Sequence, residues 1–214
     1  MVKPHVRESP LTIRTAEAAA ADLKDHLGPL AELMDAAHEE FQRELRGIAH
    51  KLDLRSRASI YRDLIVRNLR DYCDETPGAT IIKKAQLVLV GLNNKWLLRV
   101  KRLGKGFTVA VSPTMASRDY DANQVPASVA GLFPDDPGPT CIYFGWSVAE
   151  NAPGTISKFL VCNDETRQML WAIPLGESEA PPSVTEELPL APVQPAAPAR
   201  RVRVKGAVER KVNE

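Results

Sequence analysis

Few residues of this chain stand at spacings that perform covalent chemistry. The three cysteines, Cys73, Cys141 and Cys162, are far apart and form no CxxC pair or Cys/His cluster, so no zinc ligand set is expected. Their odd number suits reduced thiols packed as small apolar side chains. His38 and His50 fall on the polar or boundary side of a helical pattern, with no second ligand one turn on. Gly104-Lys105-Gly106 lacks the spacing of a phosphate loop. There is no Gly-x-Ser-x-Gly elbow. A metal-dependent nuclease wants an acid two residues ahead of a lysine on a strand; Leu98-Arg99-Val100-Lys101 has the lysine without the acid. Asp135-Asp136 and Asp164-Glu165 are paired acids on turns, where acids are common. The expectation is a protein that is not an enzyme and holds no metal or cofactor.

Two groups of residues could act without covalent chemistry. The first is a basic strand face, Lys83, Lys84, Arg99, Lys101, Arg102 and Lys105, able to track a phosphate backbone. Net charge is only +1, so any such footprint is local. The second is Ala85 to Leu92, the most apolar run in the chain. It reads either as a β-strand or as an extended peptide that docks in a partner's groove.

The elements that position these groups divide the chain in two. Residues 1–28 are expected to be an arm and a short helix, Thr15 to Leu27, stopped by Gly28-Pro29. From Leu30 an apolar stripe recurs at helical spacing through Leu33, Met34, Ala37, Phe41, Leu45, Ile48 and Leu52. Ser56 is a candidate N-cap for a second helix, Arg57 to Glu75. Its arginines, Arg55, Arg57, Arg62, Arg67 and Arg70, alternate with Asp53, Asp63, Asp71, Asp74 and Glu75, and read as a solvated, salt-bridged face.

The period then changes to two. Strands are expected at Ile81-Ile82, Gln86–Leu92, Lys95–Leu103, Phe107–Val111, Thr140–Val148, Ile156–Cys162 and Gln168–Leu175. Asn93-Asn94 suits a tight hairpin because asparagine tolerates positive φ. Trp96, Leu98 and Val100 share one face of their strand, with Leu97, Arg99 and Lys101 on the other. Residues 112–139 form a long connection with an isolated apolar patch, Val129 to Phe133; loops of this length are functional or disordered. The fold class is α+β: N-terminal helices packed on a mainly antiparallel sheet, spanning residues 29–175. Residues 176–214 are rich in Pro, Ala, Glu and Ser with a basic end from Arg200 to Lys211, and read as a disordered tail. Neither a leader nor a membrane span is expected, so the protein is read as cytoplasmic.

Gln86-Leu87-Val88-Leu89-Val90-Gly91-Leu92 resembles the peptides by which bacterial polymerases and repair proteins dock on the sliding clamp. In that family glutamine bonds at the groove mouth and an apolar pair fills adjoining pockets. This stretch has one extra residue before Gly91-Leu92 and lacks the usual phenylalanine. Val129-Ala130-Gly131-Leu132-Phe133 is a second stretch of that kind, with Val in place of the glutamine. The run Trp96 to Leu103, the long connection reaching Phe133-Pro134, Tyr143 to Trp146, and Trp171 are together similar to SocB-like toxins of bacterial toxin–antitoxin pairs. The likeness spans about residues 56–175. It implies binding to the β sliding clamp of DNA polymerase III at the replisome, through Gln86, Leu87, Leu89 and Leu92 or through Leu132 and Phe133, with a block of replication elongation. It also implies an antitoxin that acts as an adaptor to the ClpXP protease. The alternative is a nucleic-acid-binding regulator or defence-operon protein that uses Arg99, Lys101, Arg102 and Lys105.

Overall fold

A computed structural model describes residues 13–84, 87–110, 112, 114–134, 138–148 and 154–176. The elements in order are α1 (Ala16–Asp22), α2 (Lys24–Leu45), α3 (Leu54–Glu75), β1 (Ala79–Lys84), β2 (Leu87–Leu92), β3 (Trp96–Arg102), α4 (Met115–Asp121), α5 (Ala127–Ala130), β4 (Thr140–Val148), β5 (Ile156–Asn163) and β6 (Met169–Pro174). The class is α+β, as the sequence indicates. No helix among the described residues is long and apolar enough to cross a membrane.

The six strands lie in sequence order across one sheet. Four neighbouring pairs are antiparallel, and β3 runs parallel to β4. That parallel pair explains the long connection. Antiparallel neighbours can be joined by a tight turn, but parallel ones need a crossover of a dozen residues or more. Residues 103–139 supply it, and α4 and α5 sit on it. At the β2–β3 turn both Asn93 and Asn94 take positive φ, as expected of the hairpin.

The crossover also decides what the strands look like in sequence. Helices α1 to α3 cover one sheet face, where Leu30, Met34, Ile65 and Leu69 bury against Leu92, Trp96, Leu98 and Phe144. The crossover covers the other, where Tyr120 and Val129 bury with Leu89, Leu97, Tyr143 and Val161. A sheet buried on both faces has continuous apolar strands rather than alternating ones. Leu87–Leu92 and the first seven residues of β4 are strands of this type.

Several boundaries differ from the sequence reading. The break between the first two helices falls at Leu23, and α2 runs through Gly28-Pro29. Pro29 removes one backbone donor there, while Leu30, Ala31 and Met34 beyond it bury against the sheet and hold the helix on course. Ala19 and Leu23 are fully buried, so α1 belongs to the packed domain and not to an arm. Asp53, not Ser56, caps α3: its carboxylate accepts from the Ser56 amide at 2.6 Å. Ile48 lies beyond the end of α2 and is exposed. No strand forms at Phe107; a short 3₁₀ turn, Lys105–Phe107, and a single bridge between Leu103 and Val109 stand there. Gly106 and Phe107 both take positive φ, which bends the chain away from extended backbone and lays the Phe107 ring against Phe159, 4.9 Å between centroids. Val111 and residues 177–214 of the expected 176–214 tail lie outside the described residues.

Candidate phosphate-binding cleft

The start of α3 faces the ends of β3 and β4. Asp53 caps the helix, and the next two turns present Leu54, Arg55, Arg57, Ala58, Tyr61 and Arg62. Two adjoining cavities lie between these residues and the sheet. The smaller, about 210 Å³, also takes His38, Phe41, Arg102, Trp146, Val148 and Ile156 as walls. The wider, about 1000 Å³, adds Val100, Lys101, Gly104 and Thr108. Leu54, Ala58, Arg102 and Trp146 border both. Five cations, Arg55, Arg57, Arg62, Lys101 and Arg102, line the pair, and no Asp or Glu among the described residues does.

The walls are held from behind. The Tyr61 hydroxyl donates to the Met34 carbonyl at 3.1 Å, fixing α3 on α2. Its ring meets Trp146 edge-on at 4.8 Å. His38 Nε2 donates to the Gly154 carbonyl at 2.7 Å and closes the far end. The guanidinium of Arg57 leaves its Nε buried without a hydrogen-bond partner. Such a donor costs free energy until an acceptor arrives. Arg62 pairs with the exposed Asp63 at 2.9 Å, a contact of small worth at the surface. Arg55, Arg57 and Arg102 enter no ion pair among the described residues.

Lys101 donates to the Ala110 carbonyl at 3.1 Å. Burial, then the charges of Arg99 and Arg62, push its ammonium down to about 8, with Asp121 opposing. Below about pH 8 the folded protein therefore carries a charge that its surroundings disfavour. Between about 8 and the ordinary 10.5 the unfolded chain binds more protons than the folded one, so this lysine's contribution makes stability rise with pH across that window. Lys101→Met removes the penalty. Its stability advantage over the wild type, read by urea unfolding, is expected to be largest near neutral pH and to shrink as pH rises through about 8 to 10.5. A constant difference across that range contradicts the assignment.

The basic strand face expected from the sequence is divided by the fold. Lys101 and Arg102 line the cleft. Arg99 turns beneath the crossover instead: Nη2 donates to Ser117 Oγ at 3.1 Å and the guanidinium lies 5.7 Å from the centre of the Tyr120 ring. Lys105 is exposed on the 3₁₀ turn, and Lys83 and Lys84 are exposed at the end of β1, none of them among the cleft residues. The α3 arginines, expected to be neutralised on a solvated face, supply the missing cations. Arg67, which pairs with Glu40 across two helices, and Arg62, which pairs with Asp63, fit that expectation, and Arg70 is exposed outside the cleft.

The clamp-contact candidates are also separated. Gln86 lies outside the described residues. Leu87 is half-buried, while Leu89 and Leu92 are 1% and 0% exposed. This corrects their assignment as contacts. β2 packs its alternate side chains into the two covered faces, so Leu89 and Leu92 are not free to fill a partner's pocket. Phe133 is half-buried and its ring lies against Gly91. Leu132 stands 54% exposed beside it.

Other chemistry-bearing groups serve the fold. The Tyr143 hydroxyl and Asn163 Nδ2 donate to Asp121 Oδ1 at 2.8 and 2.9 Å. Asn123 Nδ2 donates to the carbonyls of Cys141 and Asn163, and its Oδ1 accepts from the Cys141 amide. This network satisfies polar groups beneath the crossover. Burial pushes the Cys73 thiol up to about 11 and Cys162 to about 12, with Cys141 higher still, so all three stay protonated at neutral pH. No metal-binding cluster occurs among the described residues. Comparison of the chain with protein-family models, with curated proteins and with solved structures finds no match.

Proposed function

We propose that this protein is a non-catalytic binder of nucleic acid, holding a phosphate backbone in the cleft between α3 and the ends of β3 and β4. The observation that carries the reading is the sign of the cleft: five cations and, among the described residues, no carboxylate border it, in a chain of net charge +1. A concave, partly desolvated site of one sign concentrates the opposite charge. Phosphate contacts of this kind fix position rather than sequence. The test is titration of a labelled single-stranded oligonucleotide with the full chain at low salt. Saturable binding is expected, and its absence overturns the reading. Of the face first read from the sequence, Lys101 and Arg102 belong to this interface.

A second reading keeps the replication-inhibiting toxin, acting in the cytoplasm on the polymerase clamp and removed through an antitoxin adaptor and ClpXP. The observation that favours it is Leu132, a large apolar side chain left exposed on the crossover next to Phe133. On this reading Leu132→Glu abolishes capture of purified clamp and leaves the melting temperature within about 2 °C of wild type, because the residue touches solvent. Capture that survives the substitution removes Leu132 from the contact.

A further inference from the structure

We infer that the smaller cavity receives one unpaired nucleobase, so that the cleft prefers a single strand to a duplex. The inference rests on the phosphate-cleft reading and deepens it.

Size is the first observation. About 210 Å³ is below the usual range of drug-sized sites, roughly 300–1000 Å³, and suits one flat ring system. The walls are the second. Phe41, Tyr61, Trp146 and Ile156 make them apolar and aromatic, and Leu54 and Val148 stand 59% and 49% exposed at the rim. A ring entering between them covers apolar surface that the protein alone leaves wet. The third is Arg57. It walls the cavity, and its buried Nε–H has no acceptor among the described residues, while every nucleobase carries carbonyl oxygens or ring nitrogens that accept.

Connection to the wider cavity completes the argument. Leu54, Ala58, Arg102 and Trp146 form a shared border. A base seated in the apolar compartment leaves its own phosphate at that border. The neighbouring phosphates then lie toward Arg62 and Lys101. A duplex has no base free for the smaller compartment. It engages only the cations, unless it pays to unstack one.

Competition against the labelled oligonucleotide tests this, using unlabelled oligothymidine, inorganic polyphosphate of matched phosphate number, and a blunt duplex. Oligothymidine is expected to compete about tenfold or more better than polyphosphate at the same salt, the worth of one stacked base. In Arg57→Lys, which keeps the charge but moves the donor, the ratio of oligothymidine to polyphosphate competition is expected to shrink. Equal competition by oligothymidine and polyphosphate overturns the base site and leaves the phosphate cleft standing. Better competition by the duplex does the same. If the labelled oligonucleotide itself fails to bind the wild type at low salt, the phosphate-cleft reading falls first.

Discussion

The double substitution Arg57→Glu with Arg102→Glu is expected to weaken oligonucleotide binding by about 100-fold or more at low salt. Each reversal removes an attraction and adds a repulsion, and unit charges about 4 Å apart interact by about 1 kcal/mol even in water-like dielectric. Four such changes amount to roughly 4 kcal/mol, close to 1000-fold, which screening and strand flexibility reduce toward a factor of about 100. The two arginines border the cleft from opposite sides, one on the second turn-face of α3 and one at the end of β3. No carboxylate among the described cleft residues offsets them. Loss of the fold is not an alternative route to the result. Neither arginine makes an ion pair among the described residues, and a glutamate in the first turns of α3 agrees with the helix dipole. Anisotropy titration reads the affinity, and circular dichroism melting confirms that the fold is retained. Affinity within threefold of wild type contradicts the cleft assignment.

Leu92→Ala is expected to cost about 2–5 kcal/mol of stability, the range for a large aliphatic side chain cut to a methyl in a packed core. Leu92 is fully buried, pairs with Ala79 and Trp96 across its two neighbouring strands, and belongs to the helix-covered core. In a domain of this size the loss lowers the melting temperature by about 5–15 °C. The urea midpoint falls with little change in slope. This result separates a core leucine from a recognition leucine. A contact residue on a surface peptide changes a partner's affinity and leaves stability nearly untouched. A melting temperature within about 2 °C of wild type contradicts the placement of Leu92 in the core.

The strands were readable because their signals are local. Apolar, β-branched runs bounded by Asn93-Asn94 or by Asn163-Asp164 specify extended backbone and turns wherever they pair. The parallel pairing of β3 with β4 was not readable, since nothing near either strand states which neighbour it takes. Its only trace was the length of the connection between them, which the crossover explains. Phe107 to Val109 misled in the other direction. The residues suit a strand, but Phe107 is spent on a ring contact with Phe159 at a backbone turn.

The cleft was half legible for a related reason. Lys101 and Arg102 stood out on a basic strand, but the strand alone gave Arg99 equal weight. Alternation carries Arg99 and Lys101 to one face and Arg102 to the other, and only the end of the sheet lets Lys101 and Arg102 reach the same space. The arginines of α3 were hidden by their acidic neighbours in sequence. Whether a helical cation is neutralised depends on what faces it across elements: Arg67 meets Glu40 of α2, whereas Arg57 lines the smaller cavity with Tyr61 and Trp146.

The claim that charge in this one cleft holds a phosphate chain is tested most directly by the salt dependence of oligonucleotide affinity. Counterion release from a single strand contributes about 0.7 to the slope of log K against log salt for each phosphate neutralised. With Arg62 shared with Asp63, the five cleft cations predict a slope of about −3 to −3.5 between about 50 and 200 mM salt. Arg57→Glu with Arg102→Glu leaves two to three cation contacts and is expected to flatten it to between about −1.5 and −2. A wild-type slope near zero, or a slope that the double substitution leaves unchanged, contradicts the account.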